Sequence, residues 1–197
     1  MDSFVIRVGG EAGWGIATAA NLIAHIFIKL GYHVFSSKEY ASQIKGGHNY
    51  HTLRISSKPL GADVDKVDML LALDSVTVEK HTSYVVDGGM ILYNDSIEIK
   101  DTKSTVTYVP LPITTIQQTL NEKNIANTVF VGAAIKSLNI EYDVLKSVMA
   151  DIFNHKLQLL DILANAAHTG YDSMEKGVGI GLSAGEKSSL EFYNGNG

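Results

Sequence analysis

Apolar residues follow two rhythms along this chain, one with the two-residue repeat of strands and one with the longer repeat of helices. Residues 3–9 (SFVIRVG) form a short β-branched run that meets glycine, the pattern of a buried strand. After the loop Gly9-Gly10-Glu11-Ala12-Gly13-Trp14-Gly15, the residues Ile16, Ala20, Ile23, Phe27 and Leu30 recur at helical spacing up to Gly31, a natural stop. Residues 32–36 return to an extended pattern, so residues 1–36 predict one βαβ unit. Residues 37–47 are polar and loop-like, and residues 49–56 alternate as a strand. Residues 67–73 are almost continuously apolar, as in a central strand covered on both faces, and end at Asp74. Residues 84–93 read as two short strands about Gly88-Gly89, and residues 105–109 as one more, closed by Pro110 and Pro112. Helices are predicted over residues 114–122, 128–138, 142–153 and 156–168. From Gly177 the spacing changes: Gly177, Gly179, Gly181 and Gly185, mixed with serines, predict a linker. A last strand-like run, residues 189–193, stops at Asn194-Gly-Asn-Gly197 and either pairs with a partner or begins a following domain.

Composition narrows the function classes. The 197 residues suit one domain, and 45% hydrophobic content supports a full core. The absence of cysteine removes disulfides, thiolate catalysis and Cys-ligated iron–sulfur clusters from this chain's repertoire. Sixteen Lys and Arg against 21 Asp and Glu give a formal charge of −5, which argues against a general nucleic-acid surface. The longest uncharged run, residues 12–28, includes Gly, Thr, Asn and His and falls short of the roughly 18–20 apolar residues of a membrane span. No cleavable leader pattern is present, so the sequence predicts a soluble cytoplasmic protein.

Two loops carry candidate chemistry. Glycines in the first, residues 10–15, tolerate positive φ and let backbone N–H groups approach an anion at a helix N-terminus. Its spacing, Gly10-x-x-Gly13-x-Gly15, is neither the dinucleotide fingerprint nor a P-loop, so a phosphate contact and a tight structural turn both remain open. Trp14, the sole tryptophan, either stacks on a ligand or partner or covers the core edge. The second loop is locally basic: Lys38, Lys45, Arg54 and Lys58 face only Glu39, and Gly46-Gly47 beside Lys45 and His48 permit close backbone approach. It reads either as a solvated loop or as a phosphate-neutralising patch. His48 and His51 would point to opposite faces of a strand, which disfavours a shared metal. His25 reads as a satisfied core or interface histidine, and Asp63, Asp65 and Asp68 as solvated loop charge.

Taken together, these stretches resemble a known family. The run Phe4–Ala20 (FVIRVGGEAGWGIATAA) is similar to the opening of the gamma domain of 2-oxoacid:ferredoxin (acceptor) oxidoreductases, in the form fused at the N-terminus of their alpha subunit. GYHVF at residues 31–35, SQIKGGH at 42–48 leading to LRIS at 53–56, and VDMLLAL at 67–73 follow in the family's order. NTVFVGA at 127–133 resembles its later helix, and Asn165 with Gly170-Tyr171 its closing segment. Lys45 stands where the family commonly has Arg, and Trp14 where it has a smaller or polar residue. The resemblance implies a three-layer α/β/α domain with a mainly parallel or mixed Rossmann-like sheet over residues 1–171. A linker and the start of a following domain would then occupy residues 172–197.

The family converts a 2-oxoacid, coenzyme A (CoA) and oxidised ferredoxin into acyl-CoA, carbon dioxide and reduced ferredoxin. The resemblance implies that thiamine diphosphate and iron–sulfur clusters lie in partner domains or subunits, with ferredoxin reached indirectly. This domain is then noncatalytic and inactive alone, supporting an oligomeric complex and the CoA-side entrance. The expected contacts to CoA or the thiamine domain are the backbone of Gly10, Glu11, Ala12, Gly13, Trp14 and Gly15, together with Lys45, Gly46, Gly47, His48 and Arg54. The alternatives are a free-standing nucleotide- or dinucleotide-binding protein and a pure scaffold. The first lacks both the G-x-G-x-x-G spacing and an acidic residue at Phe35-Ser36-Ser37, where the second strand ends.

Overall fold

The computed structural model describes residues 3–39, 47–62 and 64–174. Strand β1 (Phe4–Glu11) leads through the glycine loop into helix α1 (Ile16–Lys29). Next come β2 (His33–Glu39), β3 (His48–Ser56) and β4 (Val67–Ala72). A short helix α2 (Ser75–His81) and a 3-10 turn (Thr82–Tyr84) precede β5 (Val85–Asn94) and β6 (Thr107–Leu111). Helices α3 (Ile113–Leu120), α4 (Ala126–Ser137), α5 (Tyr142–Phe153) and α6 (Leu157–Asp172) complete the described chain.

The six strands form one sheet in the order β2-β3-β1-β4-β5-β6. β1, β4, β5 and β6 run parallel in adjacent pairs, and β3 is antiparallel to both β1 and β2. The sheet is thus mixed and mostly parallel, as expected. The predicted βαβ unit is split: β2 does run with β1, but β3 lies between them. Residues 37–39, expected in a loop, extend β2 because they pair with Thr52, His51 and Tyr50.

On one face, Ile6, Val8, Leu53, Ile55, Leu71 and Leu92 pack beneath α1 and α3–α6 in the main core. On the other, Val5, Leu70, Val85 and Ile91 meet Val78 of α2 and the segment carrying Ile97 and Val106, a thinner third layer. Helix α4 is buried from Asn127 through Ile135, as an all-round apolar helix should be. Its crossing with α6 is unusually close. A Cβ at Gly132 would sit 1.9 Å from the Ala167 carbonyl oxygen, and one at Gly170 would sit 2.1 Å from that of Val129.

Three local readings change. The two strands expected about Gly88-Gly89 are one strand with a bulge, since Val67 pairs with Val85 while Met69 pairs with Met90, and Gly88 takes φ 80°. Pro110 lies within β6 rather than closing it; β6 is a sheet edge, where a missing N–H costs no ladder bond. Asp68 is no solvated loop charge. It belongs to β4, accepts the Val5 N–H at 2.7 Å, and burial raises its carboxyl pKa. Asp63 and the expected linker and strand from residue 175 onward lie outside the described residues.

Candidate functional site

The parallel strands end together at one edge of the sheet, where open α/β folds bind ligands. β1 reaches that edge through glycines that let neighbours approach. A Cβ at Gly9 would lie 2.6 Å from Thr77 Cγ2, and one at Gly10 would lie 2.8 Å from Ile16 Cδ1. Those two glycines serve packing. Beyond them the loop turns outward: Gly13 (φ 95°) has open space around its Cα, and Trp14 is 45% exposed. Two backbone bonds fix the turn, Trp14 N–H to the Glu11 carbonyl and Ala12 N–H to the Gly47 carbonyl, both 3.1 Å. Gly15, left-handed at φ 75°, caps α1 without a side chain. Its carbonyl accepts the Ala19 N–H at 3.0 Å and the Asn127 side-chain Nδ2–H at 3.2 Å.

On the main-core side, this loop borders a cleft of about 650 Å³ lined in part by Thr18, Asn94, Lys123, Asn127 and Lys156. Four helix starts converge there: Gly15 before α1, Ile113 of α3, Ala126 of α4, and Lys156 before α6. None of the four is capped by a side chain or has an acidic residue in its first turn. Helix starts expose N–H groups without intrahelical acceptors and carry partial positive charge. Among the described residues, two lysines and no Asp or Glu line the cleft. In a chain with net charge −5 this is a locally cationic, donor-rich surface suited to an anion. Trp14, Phe153 and Leu159 give it an apolar side, and exposed Leu157 lies next to that rim.

The opposite sheet face carries a buried polar chain. Arg7 Nε donates to Thr52 Oγ1 at 3.0 Å, and its guanidinium lies 4.9 Å from the Tyr50 ring centroid and 5.1 Å from that of Tyr84. Arg7 Nη1 is 3.2 Å from His81 Nδ1. A guanidinium only donates, so Nδ1 accepts and His81 keeps its proton on Nε2. That N–H points at His48 Nε2, 2.8 Å away, which leaves the His48 proton on Nδ1. The Nδ1 atom is buried and has no hydrogen-bond partner among the described residues. Burial, then the Arg7 charge, pulls the His81 pKa down to about 3. Burial also lowers that of His48, against the pull of Asp74. Burial and a hydrogen bond to Glu39 push the Tyr50 phenol up to about 12. Both imidazoles are therefore neutral at pH 7, and the chain ties β1, β3 and α2 together.

The structure brings Gly10, Glu11, Ala12, Gly13, Trp14, Gly15 and Gly47 to one edge of the sheet. His48 pairs with Glu11 in register, but its ring turns to the face opposite the cleft, into the Arg7–His81 chain. Arg54 sits at the other end of β3, roughly 20 Å away along the strand. There its Nε donates to Ser3 Oγ and its Nη1 to the Ala62 carbonyl. Lys45 and Gly46 lie outside the described residues. Lys123, Lys156 and Asn127 were not anticipated, because they come from separate helix starts far from the glycine loop in sequence. Arg7 did carry a signal: a lone charge in an apolar strand requires buried partners.

A family model described as pyruvate ferredoxin/flavodoxin oxidoreductase matches residues 5–173. A 2-oxoacid:ferredoxin oxidoreductase subunit alpha from Sulfolobus sp is 30% identical over 164 residues, covering 80% of this chain and 26% of that protein. The chain thus spans about a quarter to somewhat over a third of the length of the curated relatives that it matches over most of its own length. The 2-oxoglutarate:ferredoxin oxidoreductase from Magnetococcus marinus, solved with 2-oxoglutarate, coenzyme A and succinyl-CoA bound, matches with TM-score 0.85 at 24% identity, over 95% of this chain and 34% of that one. Pyruvate oxidoreductase subunit PORC from Thermotoga maritima matches with TM-score 0.68 at 20% identity, over 87% of this chain and 97% of that one.

Proposed function

The chain belongs to the pyruvate ferredoxin/flavodoxin oxidoreductase family, and from that membership we propose that it is a noncatalytic gamma-type domain forming the CoA side of the active-site entrance. The observation that carries this reading is the cleft beside the glycine loop, where the described residues place four uncapped helix starts, two lysines and no carboxylate. CoA is a long polyanion with a neutral arm. Its phosphates meet Lys123, Lys156 and the free N–H groups at the start of α1, while the arm passes across Gly13 and Trp14 toward the reacting centre. Trp14, exposed at the rim, gives that arm an apolar face to lie against.

The chemistry itself belongs to partners. Thiamine diphosphate, held by an adjoining domain or subunit, supplies the carbanion stabilisation that decarboxylation requires. This chain has no cysteine to ligate an iron–sulfur cluster, and among the described residues no group of three His, Asp or Glu is arranged to hold a metal. Exposed Leu157 and Leu159, next to the cleft, give the thiamine-bearing partner an apolar surface to cover. Iron–sulfur clusters in the partners would supply the route for electrons to ferredoxin. Among the described residues no helix is long and apolar enough to cross a membrane.

The test is steady-state kinetics of the assembled oxidoreductase carrying Lys123→Ala with Lys156→Ala. Removing two phosphate contacts raises the KM for CoA about tenfold, more at low salt than at high, and leaves the KM for the 2-oxoacid in place. An unchanged KM for CoA would make the cleft a scaffold surface. Tight binding of a nucleotide without pantetheine, with no CoA effect, would favour a separate nucleotide-binding role.

A further inference from the structure

The start of α1 is held in an uncommon way. A helix usually has a Ser, Thr, Asp or Asn at the N-cap, whose side chain consumes one of the first free N–H groups. Here the cap is Gly15, and the polar group that secures it comes from another helix, 112 residues away in sequence. Asn127 is 94% buried, and its Nδ2–H donates to the Gly15 carbonyl rather than accepting from the helix start. Asn127 leaves room only for glycine at position 15, since a Cβ there would sit 2.5 Å from Asn127 Nδ2. The latch therefore fixes the loop from its carbonyl side and leaves the N–H groups of Ile16, Ala17 and Thr18 without a capping side chain. Thr18, Gly15 and Asn127 all line the cleft.

We propose that Asn127 is a positioning residue for CoA: it locks Gly15 in the left-handed cap so that the uncapped start of α1 keeps its place beside the cleft that Gly15 and Thr18 line. This inference rests on the CoA reading above. It assigns to α4 a share of ligand affinity carried through the loop, in addition to α4's part in the core. An alanine at 127 removes the latch but not the loop, so the loop samples orientations in which the uncapped start is out of place, and binding weakens by the fraction of time spent there.

The experiment compares Asn127→Ala and Asn127→Ser with the paired Lys123→Ala and Lys156→Ala variant in the assembled oxidoreductase. Serine is well tolerated at a helix start and too short to reach Gly15, so it retains a foldable chain if alanine does not. The expected result is a five- to tenfold rise in the KM for CoA in both Asn127 variants, with kcat changed less than twofold and the 2-oxoacid KM unmoved. Hydrogen exchange should quicken at Trp14 and Ala19, whose N–H groups bond to the Glu11 and Gly15 carbonyls, and not across the rest of α1. A lysine pair that raises the KM for CoA while the Asn127 variants leave it unchanged, or alter kcat and both KM values alike, overturns the latch and spares the CoA reading. If the lysine pair also has no effect, the CoA reading falls and the latch falls with it.

Discussion

Replacing Gly132 by alanine tests the architecture where it is tightest. In an isolated helix this substitution stabilises, because alanine exceeds glycine in helix propensity by about 1 kcal/mol. Here the new methyl would lie 1.9 Å from the Ala167 carbonyl oxygen, 2.8 Å from its carbon and 2.9 Å from the Tyr171 nitrogen. All three are backbone atoms, so no side-chain rotation relieves the clash. To reach the 3.0 Å below which Cβ contacts are essentially never seen, α6 must withdraw from α4 by about 1.1 Å. A gap of 0.5–1 Å already forfeits roughly a quarter to a half of each dispersion contact across the interface, and overpacking typically costs about 1–3 kcal/mol. Because the atoms met are backbone, the upper half of that range applies; net of propensity the variant should lose about 1–2 kcal/mol, which in a chain of this length lowers Tm by roughly 2–8 °C. Gly170→Ala meets the Val129 carbonyl at 2.1 Å and should behave alike, and the double variant should lose less than the sum because one withdrawal relieves both clashes. Circular dichroism melts and urea titrations of the three variants give the answer. A Tm at or above that of the parent for either single variant would refute the close crossing.

Two further outcomes follow from side chains outside the cleft. The unfolded His81 takes up a proton near its ordinary pKa of 6.5, and the folded one only near about 3. Its contribution to stability is therefore complete above pH 6.5 and is lost as pH falls toward 3, by at most about 1.4 kcal/mol per pH unit. Urea titrations between pH 7 and 4 should show that slope lessened in His81→Gln, whose amide oxygen still accepts from Arg7, and an undiminished slope would contradict the assignment. Asp74 caps α2 through Oδ1, which accepts from Thr77 N at 2.8 Å and Thr77 Oγ1 at 2.6 Å. Asp74→Ala should cost about 1 kcal/mol, or roughly 2–4 °C in Tm, and Asp74→Asn about half of that.

The strands were legible where burial on both faces makes the sequence continuously apolar, as in VDMLLA of β4, and α1 where its apolar stripe runs unbroken from Ile16. Order within the sheet was not legible, because nothing in the alternation of β3 says that it pairs between β1 and β2. Helix α2 escaped notice at seven residues, too short for a periodic signal, although Asp74 followed by Thr77 is a start signal that could have exposed it. At the candidate site, the glycine loop was readable because local backbone chemistry requires glycine at Gly13 and Gly15. The cleft was not, because its charge and donors come from four helix starts that only the fold brings together. Local charge and the resemblance both point to Arg54, but the length of β3 carries it to the far end of the strand.

On the reading proposed above, CoA meets this chain at the glycine loop and the adjoining cleft. Amide NMR spectra of the isotopically labelled chain, recorded during titration with CoA, test it most directly. Saturable shifts are expected at residues 13–18, at Lys123, Ala126 and Asn127, and at Lys156, with Arg54, Tyr84 and the α2 amides unmoved. Shifts confined to the Arg7–His81 face or to the Arg54 end of β3, or none at millimolar CoA, would contradict it.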